Sequence, residues 1–313
     1  MTAVTSPAQP RELIQRSLDV HLTLRWWLLL STIAIINIGI WMFSYLKLTS
    51  HDDTSSSDVA HQSSHINRND DTDEKIDSAH PYQRYHLFLS GIYVFVCAYR
   101  SFLPRIDLER YCLFDTRLSS IFLGRLSATI AEVSFSAQIA LYLYHVGDVY
   151  GHPLTQWLAL GLVPLIVIAQ CFCWCGVVTL NHLYHAIEES IWAISSLFIG
   201  MAMAALAIYQ PDSCLRVGVA GTICCLLFFL FMVIVDVPMY VRRWKEGKQN
   251  MMQSKEKKRI YMNMVEGSFD SIERRVVTKS WKVWKEETVW LTLYFSTAVW
   301  LSLLLIHKSI QNW

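Results

Sequence analysis

Residues 155–180 read TQWLALGLVPLIVIAQCFCWCGVVTL. The block is apolar almost throughout. It exceeds the roughly 20 residues that an α-helix needs to cross a hydrocarbon core about 30 Å thick. It therefore reads as a membrane span, and similar blocks lie on either side. Residues 24–46, LRWWLLLSTIAIINIGIWMFSYL, form a first span with Trp26 and Trp27 at one end, where interfacial aromatics gather. Residues 82–103 form a weaker second span between Pro81 and Pro104. Residues 120–145, 182–209, 215–240 and 287–307 complete the set. The totals agree: 53% of residues are hydrophobic and only 17% charged, against roughly 25% charged in soluble domains. The expected fold is an all-α integral membrane protein, a bundle of about seven transmembrane helices.

The intervening segments set the orientation. Residues 1–23 are polar and carry Arg11 and Arg16. Residues 47–81 are rich in Ser, Asp and His with little to bury, which predicts a disordered loop. Residues 105–119, containing IDLERYCLF, suit a short amphipathic helix at the interface. Asn181 and its neighbours must reverse the chain between the fourth and fifth spans. Lys and Arg crowd 100–117 and 241–280 and are absent from 146–154 and 209–214. By the positive-inside rule the N-terminus is cytoplasmic and the C-terminus outside, in a plasma (inner) membrane. The basic segment 241–286 precedes the last span, and 308–313 form a tail. Within it, FDSIERRVVTKSWKVWKEE reads as an amphipathic helix whose residues 270–286 meet anionic lipid headgroups at about 1 kcal/mol per Lys or Arg. Nucleic acid is not an expected partner.

Ionisable side chains inside a span cost about 2.5–3.5 kcal/mol each, so they mark where chemistry is to be sought. The fifth span opens NHLYHAIEES, with His182, His185 and Glu189 on one helix face and Glu188 three residues after His185. Imidazole and carboxylate are plausible ligands for zinc or iron. The third span holds Arg125 and Glu132 seven residues apart, with Glu132 about 18 Å in from residue 120. So deep a carboxylate must face a partner or water, or be protonated, because desolvation disfavours the charged form. Asp236 precedes Pro238, which kinks or ends the sixth span. Glu286 and Glu287 open the last span. All but Glu132 fall at the cytoplasmic ends of their helices, which points to one polar cluster if spans three, five, six and seven are neighbours. Plainer readings exist for each group: helix capping, dipole compensation and helix packing.

The eight cysteines sit mostly in apolar blocks, and Cys171, Cys173 and Cys175 spread around a helix, so they read as small hydrophobes. No cleavable signal peptide, N-glycosylation acceptor, prenylation box, Walker motif or H-E-x-x-H is evident.

FLPRIDLERYCLFDTRLSSIFLGR (102–125), NHLYHAIEES (181–190), VDVPMYVRRW (235–244) and WLTLYFSTAVWLSLLL (290–305) resemble segments of a family of bacterial multi-span membrane proteins, which implies architecture and no activity. DVPM and the fifth-span histidines are also faintly similar to the alkaline ceramidase and progestin-receptor-like group, seven-span metal-dependent lipid amidases. That group has paired histidines in its last span, where this chain has only His307. The expected function is a metal-dependent membrane enzyme acting on a lipid or other amphipathic substrate at the cytoplasmic leaflet. His182, His185, Glu189 and Asp236 would hold zinc or iron, Glu132 or Glu287 would carry protons, and Arg125 would clamp an anion. A proton-coupled carrier using Glu132 and a non-catalytic subunit are the alternatives.

Overall fold

The computed structural model describes residues 10–61, 70–253 and 261–307. Nearly all of them are helical, and six helices are long and apolar enough to cross a membrane. The chain is thus a predominantly α-helical integral membrane protein. Helix α1 runs Pro10–His61, α2 Asp70–Phe102, α3 Ile121–Val149, α4 Pro153–Thr179 and α5 His182–Tyr209. Helix α6, Pro211–Phe231, passes through a π-helical turn at Met232–Asp236 into α7, Val237–Gln253. After α8, Met264–Glu273, helix α9, Trp281–Leu293, leads through a second π turn at Tyr294–Ala298 into α10, Val299–His307.

Neighbours in sequence are neighbours in space. Helices α1 to α6 pack in chain order, and the final span returns to close against α1, α2 and α3. Large apolar side chains line the outside of the bundle, among them Leu28, Ile35, Phe43, Leu160, Ile168, Ile234 and Leu304. That surface suits lipid. The main core lies where the last span meets the first two, around Trp26, Leu30, Tyr93, Leu113, Trp284 and Phe295.

The six spans by length and composition omit α2, the expected second span. Its residues 82–102 include Arg84 and Arg100 and a stripe of buried polar groups, which lower its hydropathy. Yet α2 is packed between α1 and α3 and against α10.

Several expected boundaries move. The segment 47–81, expected as a disordered loop, is helical at 47–61 and 70–81, while 62–69 lie outside the described residues. Once a helix is nucleated its extension is inexpensive. Pro238 does not end the sixth span. It removes one backbone donor and crowds the preceding turn, and the π turn at Met232–Asp236 absorbs this, so the helix continues to Gln253.

The expected interfacial helix at 105–119 is instead a hairpin. Strand β1, Arg105–Ile106, pairs antiparallel with β2, Tyr111–Cys112. Arg110 takes the left-handed conformation, φ 58°, that turns the chain. Strand β3, Val276–Val277, adds parallel to β2. The expected single amphipathic helix over 270–286 is therefore split into the end of α8, β3 and the start of α9. Trp284 does not lie on a membrane surface but is fully buried, 5.6 Å from Trp26, and donates to the Thr278 carbonyl at 2.9 Å.

The hairpin, β3 and α8 cap one end of the bundle. Arg110 Nε donates to Asp270 of α8 at 2.8 Å. Burial pushes the thiol of Cys112, on β2, up, so it stays protonated. Gly267 lets the α8 backbone touch the end of α4: a Cβ there would stand 1.9 Å from the Val178 carbonyl oxygen. Gly267→Ala is expected to cost about 1–3 kcal/mol or more through overpacking, read as a lower melting temperature and faster proteolysis within 261–280. Gly247→Ala, whose Cβ meets only the Tyr261 hydroxyl at 3.5 Å, should behave as wild type.

Candidate functional site

Helices α3, α4 and α5 come together around polar side chains on the capped side of the bundle. Arg125, Thr129 and Glu132 share one face of α3, since steps of three, four and seven residues return to it. Gln170, Cys173 and Trp174 share the facing side of α4. Glu132 Oε2 accepts from Arg125 Nη2 at 3.0 Å and from Gln170 Nε2 at 2.5 Å. Arg125 Nη2 also donates to Gln170 Oε1 at 2.6 Å. Thr129 donates to the same oxygen and accepts from the Trp174 indole, each at 3.0 Å. The Arg125 and Glu132 side chains are only 8% and 12% exposed. Gln170 and Thr129 share the load of so deep an ion pair, although the buried Arg125 Nε has no hydrogen-bond partner.

One turn further along α4, a second group begins. Cys173 Sγ lies 3.9 Å from His185 Nδ1, which contacts Glu188 Oε2 at 2.8 Å. All three residues are buried, and their ligand atoms lie within 4.8 Å of one another. Bonds of about 2.0–2.3 Å to a tetrahedral zinc separate its ligand atoms by roughly 3.2–3.6 Å. The shorter contact would open slightly and the longer one close, with the metal replacing the imidazole proton.

Two features hold the imidazole. Gly176 on α4 lies so near that a Cβ would stand 2.7 Å from His185 Cδ2 and 2.8 Å from Nε2. The Tyr240 ring stacks on the imidazole, with centroids 5.4 Å apart. The reversal that brings α5 back against α4 is made by Leu180 in the left-handed conformation and by Asn181. The Asn181 side chain caps α5 by accepting from the Leu183 amide at 3.1 Å.

No family model, curated protein or solved structure matches this chain. The site is therefore read from its own residues.

Of the sequence candidates, Arg125 and Glu132 meet directly, and His185 meets Glu188 rather than Glu189. Glu189 and Asp236 lie beside the cluster. Glu188, Asp236, Glu132 and Arg125 all fall within electrostatic reach of Glu189, and Glu188 and His185 of Asp236. Asp236 closes the π turn, an insertion often found at functional sites. His182 stands farther out: its ring is 6.3 Å from Tyr240, and its buried Nδ1 has no hydrogen-bond partner. Glu287 lies toward Glu109, Asp107 and Arg243 of the hairpin and α7, and also within electrostatic reach of Tyr240. Arg243 makes its ion pair with Glu109, at 3.6 Å.

Sequence reasoning missed Gln170, Cys173, Gly176 and Tyr240. The alternation of Cys171, Cys173 and Cys175 disguised the one that points inward. Gln170, an amide in an apolar block with Cys173 and Trp174 at helical spacing, was the available signal.

Proposed function

We propose that this chain is a metal-dependent membrane enzyme acting on a lipid or other amphipathic substrate, with zinc or iron held by Cys173, His185 and Glu188. The observation that carries this reading is the convergence of three chemically suitable, buried ligand atoms from two helices. Isolated polar groups of this cost are rarely kept in a membrane interior without a task.

The metal would supply Lewis-acid polarisation of a carbonyl or an activated water. The remaining steps belong to side chains. Arg125, already fixed by Glu132 and Gln170, offers positive charge to an oxyanion or phosphate. Glu189, half-buried beside the ligands, is the proton carrier in place of Glu287. Tyr240 and Gly176 clamp the imidazole, and such supporting contacts are worth about 10–100-fold in metal affinity or activity.

The capped end, with Arg243, Arg274 and Arg275, is the cytoplasmic one under the positive-inside rule. With α2 as a seventh crossing, the N-terminus is then inside and the C-terminus outside, in an inner membrane. Arg274 and Arg275, partly exposed at this end, suit anionic headgroups. Substrate would enter from that leaflet.

The test is turnover of fluorescent ester- and amide-linked lipids by purified protein in mixed micelles. Activity should vanish on chelation, return with zinc or ferrous iron, and fall at least 100-fold in Cys173→Ala and Glu188→Gln. Turnover indifferent to chelation in monodisperse protein would overturn the metal mechanism.

A further inference from the structure

Helix α2 carries a line of polar side chains that the proposed chemistry leaves unused. Tyr82, His86, Ser90, Tyr93, Cys97 and Ser101 recur at steps of three and four, so they share one face. Each is at most 8% exposed. Nineteen residues of helix rise about 28 Å, close to the thickness of a hydrocarbon core. A helix that merely had to sit in a membrane would turn such a face into apolar packing, because each unbonded polar group costs free energy.

The far half of this line is the least satisfied part. His86 has no exposed surface, yet neither ring nitrogen has a hydrogen-bond partner, and the Tyr82 hydroxyl also lacks one. The Tyr82 ring lies 4.5 Å from His86 and 4.3 Å from His145 of α3. His145 is half-buried and close to the exposed Asp148, so the line opens to solvent there. Buried orphans of this kind are normally met by ordered water.

Inward from His86 a bonded group comes first, and beyond it the buried Tyr93 and Tyr294 hydroxyls again lack a hydrogen-bond partner. Gln138 Nε2 donates to the Ser302 carbonyl at 2.8 Å and to the His86 carbonyl at 3.4 Å. The Ser302 hydroxyl lies 2.6 Å from Gln138 Oε1 and 3.0 Å from the Ser90 hydroxyl. Next come Tyr93 and Tyr294, and Glu132 lies within electrostatic reach of both and of Cys97. Beyond Cys97 the Ser101 hydroxyl and half-buried Arg100 reach the capped end.

We propose that this face of α2, with His145, Gln138, Ser302 and Tyr294, lines a proton path across the bundle, passing Glu132 midway. Hydroxyls, an imidazole and intervening waters can each accept one proton and release another, while the Gln138 amide orients its neighbours by hydrogen bonding. For every proton taken up at one mouth one leaves at the other, and no bond between heavy atoms changes. The lining suits protons better than metal ions, since its one carboxylate is already engaged by Arg125 and Gln170. None of Cys173, His185 or Glu188 belongs to the path, so it stands apart from the metal reading.

The test uses purified protein in liposomes loaded with a pH-sensitive dye, driven by a potassium gradient with valinomycin. Wild type should acidify or alkalinise the lumen well above protein-free vesicles. His86→Phe and Gln138→Leu should each slow this at least tenfold while metal content stays at the wild-type level. If His86→Phe does not give monodisperse protein, Gln138→Leu and Ser302→Ala carry the test. Wild-type vesicles as tight as protein-free ones, or folded variants conducting at the wild-type rate, would overturn the proposal.

Discussion

Glu132→Leu should lower stability by about 3–5 kcal/mol, the usual cost of removing one partner of a buried ion pair. The Arg125 guanidinium would be left charged between α3 and α4 with only the Gln170 carbonyl oxygen as acceptor. The Gln170 amide would lose its own acceptor as well. Glu132→Gln keeps an oxygen that can accept from Arg125 and should cost less, about 1–3 kcal/mol. The double variant Arg125→Met, Glu132→Leu removes both charges and should recover most of the loss, because packed apolar side chains replace buried pairs at little cost. Thermal unfolding in mild detergent reads all three, and the cycle isolates the coupling. An unchanged melting temperature in Glu132→Leu would mean that the pair does not hold α3 to α4.

Gly176→Ala should strip the proposed metal with little effect on the rest of the fold. The new methyl would stand under 3 Å from two atoms of the His185 ring. Tyr240 stacks on the same ring, so a shift of the ring away from the new methyl would carry Nδ1 out of register with Cys173 and Glu188. Displacing one of three ligands in this way should reduce metal affinity by 10–100-fold or more. Gly161→Ala on the same helix is the control, since its Cβ meets nothing within 4 Å. Equal metal content in the two variants would contradict the assignment of His185 as a ligand.

The helical membrane bundle was legible because span length is set by bilayer thickness. The expected fifth span, 182–209, coincides with α5. The third and fourth are close, because a cap residue, Ser120 or His152, stands at each start. What escaped reading depends on contacts between distant segments. The hairpin at Arg105–Cys112 owes its conformation to β3 and Asp270, 160 or more residues along the chain from their partners. Residues 270–286 have an amphipathic pattern, but the same tryptophan that suggested a membrane surface finds Trp26 inside the bundle. Pro238 signals a helix end in sequence, and only the π turn before it shows how the helix continues.

The candidate site was half legible. Spacing on a single helix identified Arg125 with Glu132 and put His185 among its candidates. Of Glu188 and Glu189, which are adjacent in sequence and differ by about 100° around the helix, it chose Glu189, whereas the ligand atoms that converge are those of Cys173, His185 and Glu188. The difference is made by α4, whose Cys173 and Gly176 determine which way the imidazole faces. Burial of Cys173 reads as packing until the partners opposite it are known.

The central claim is that Cys173, His185 and Glu188 hold a transition metal. Metal content by mass spectrometry, on protein purified in mild detergent without chelator, tests it most directly. Near one equivalent of zinc or iron is expected in wild type. It should be lost in Cys173→Ala, His185→Ala and Glu188→Gln, and kept in Glu189→Gln. Folded wild-type protein with no metal above background, or metal retained through all three ligand substitutions, would contradict the account.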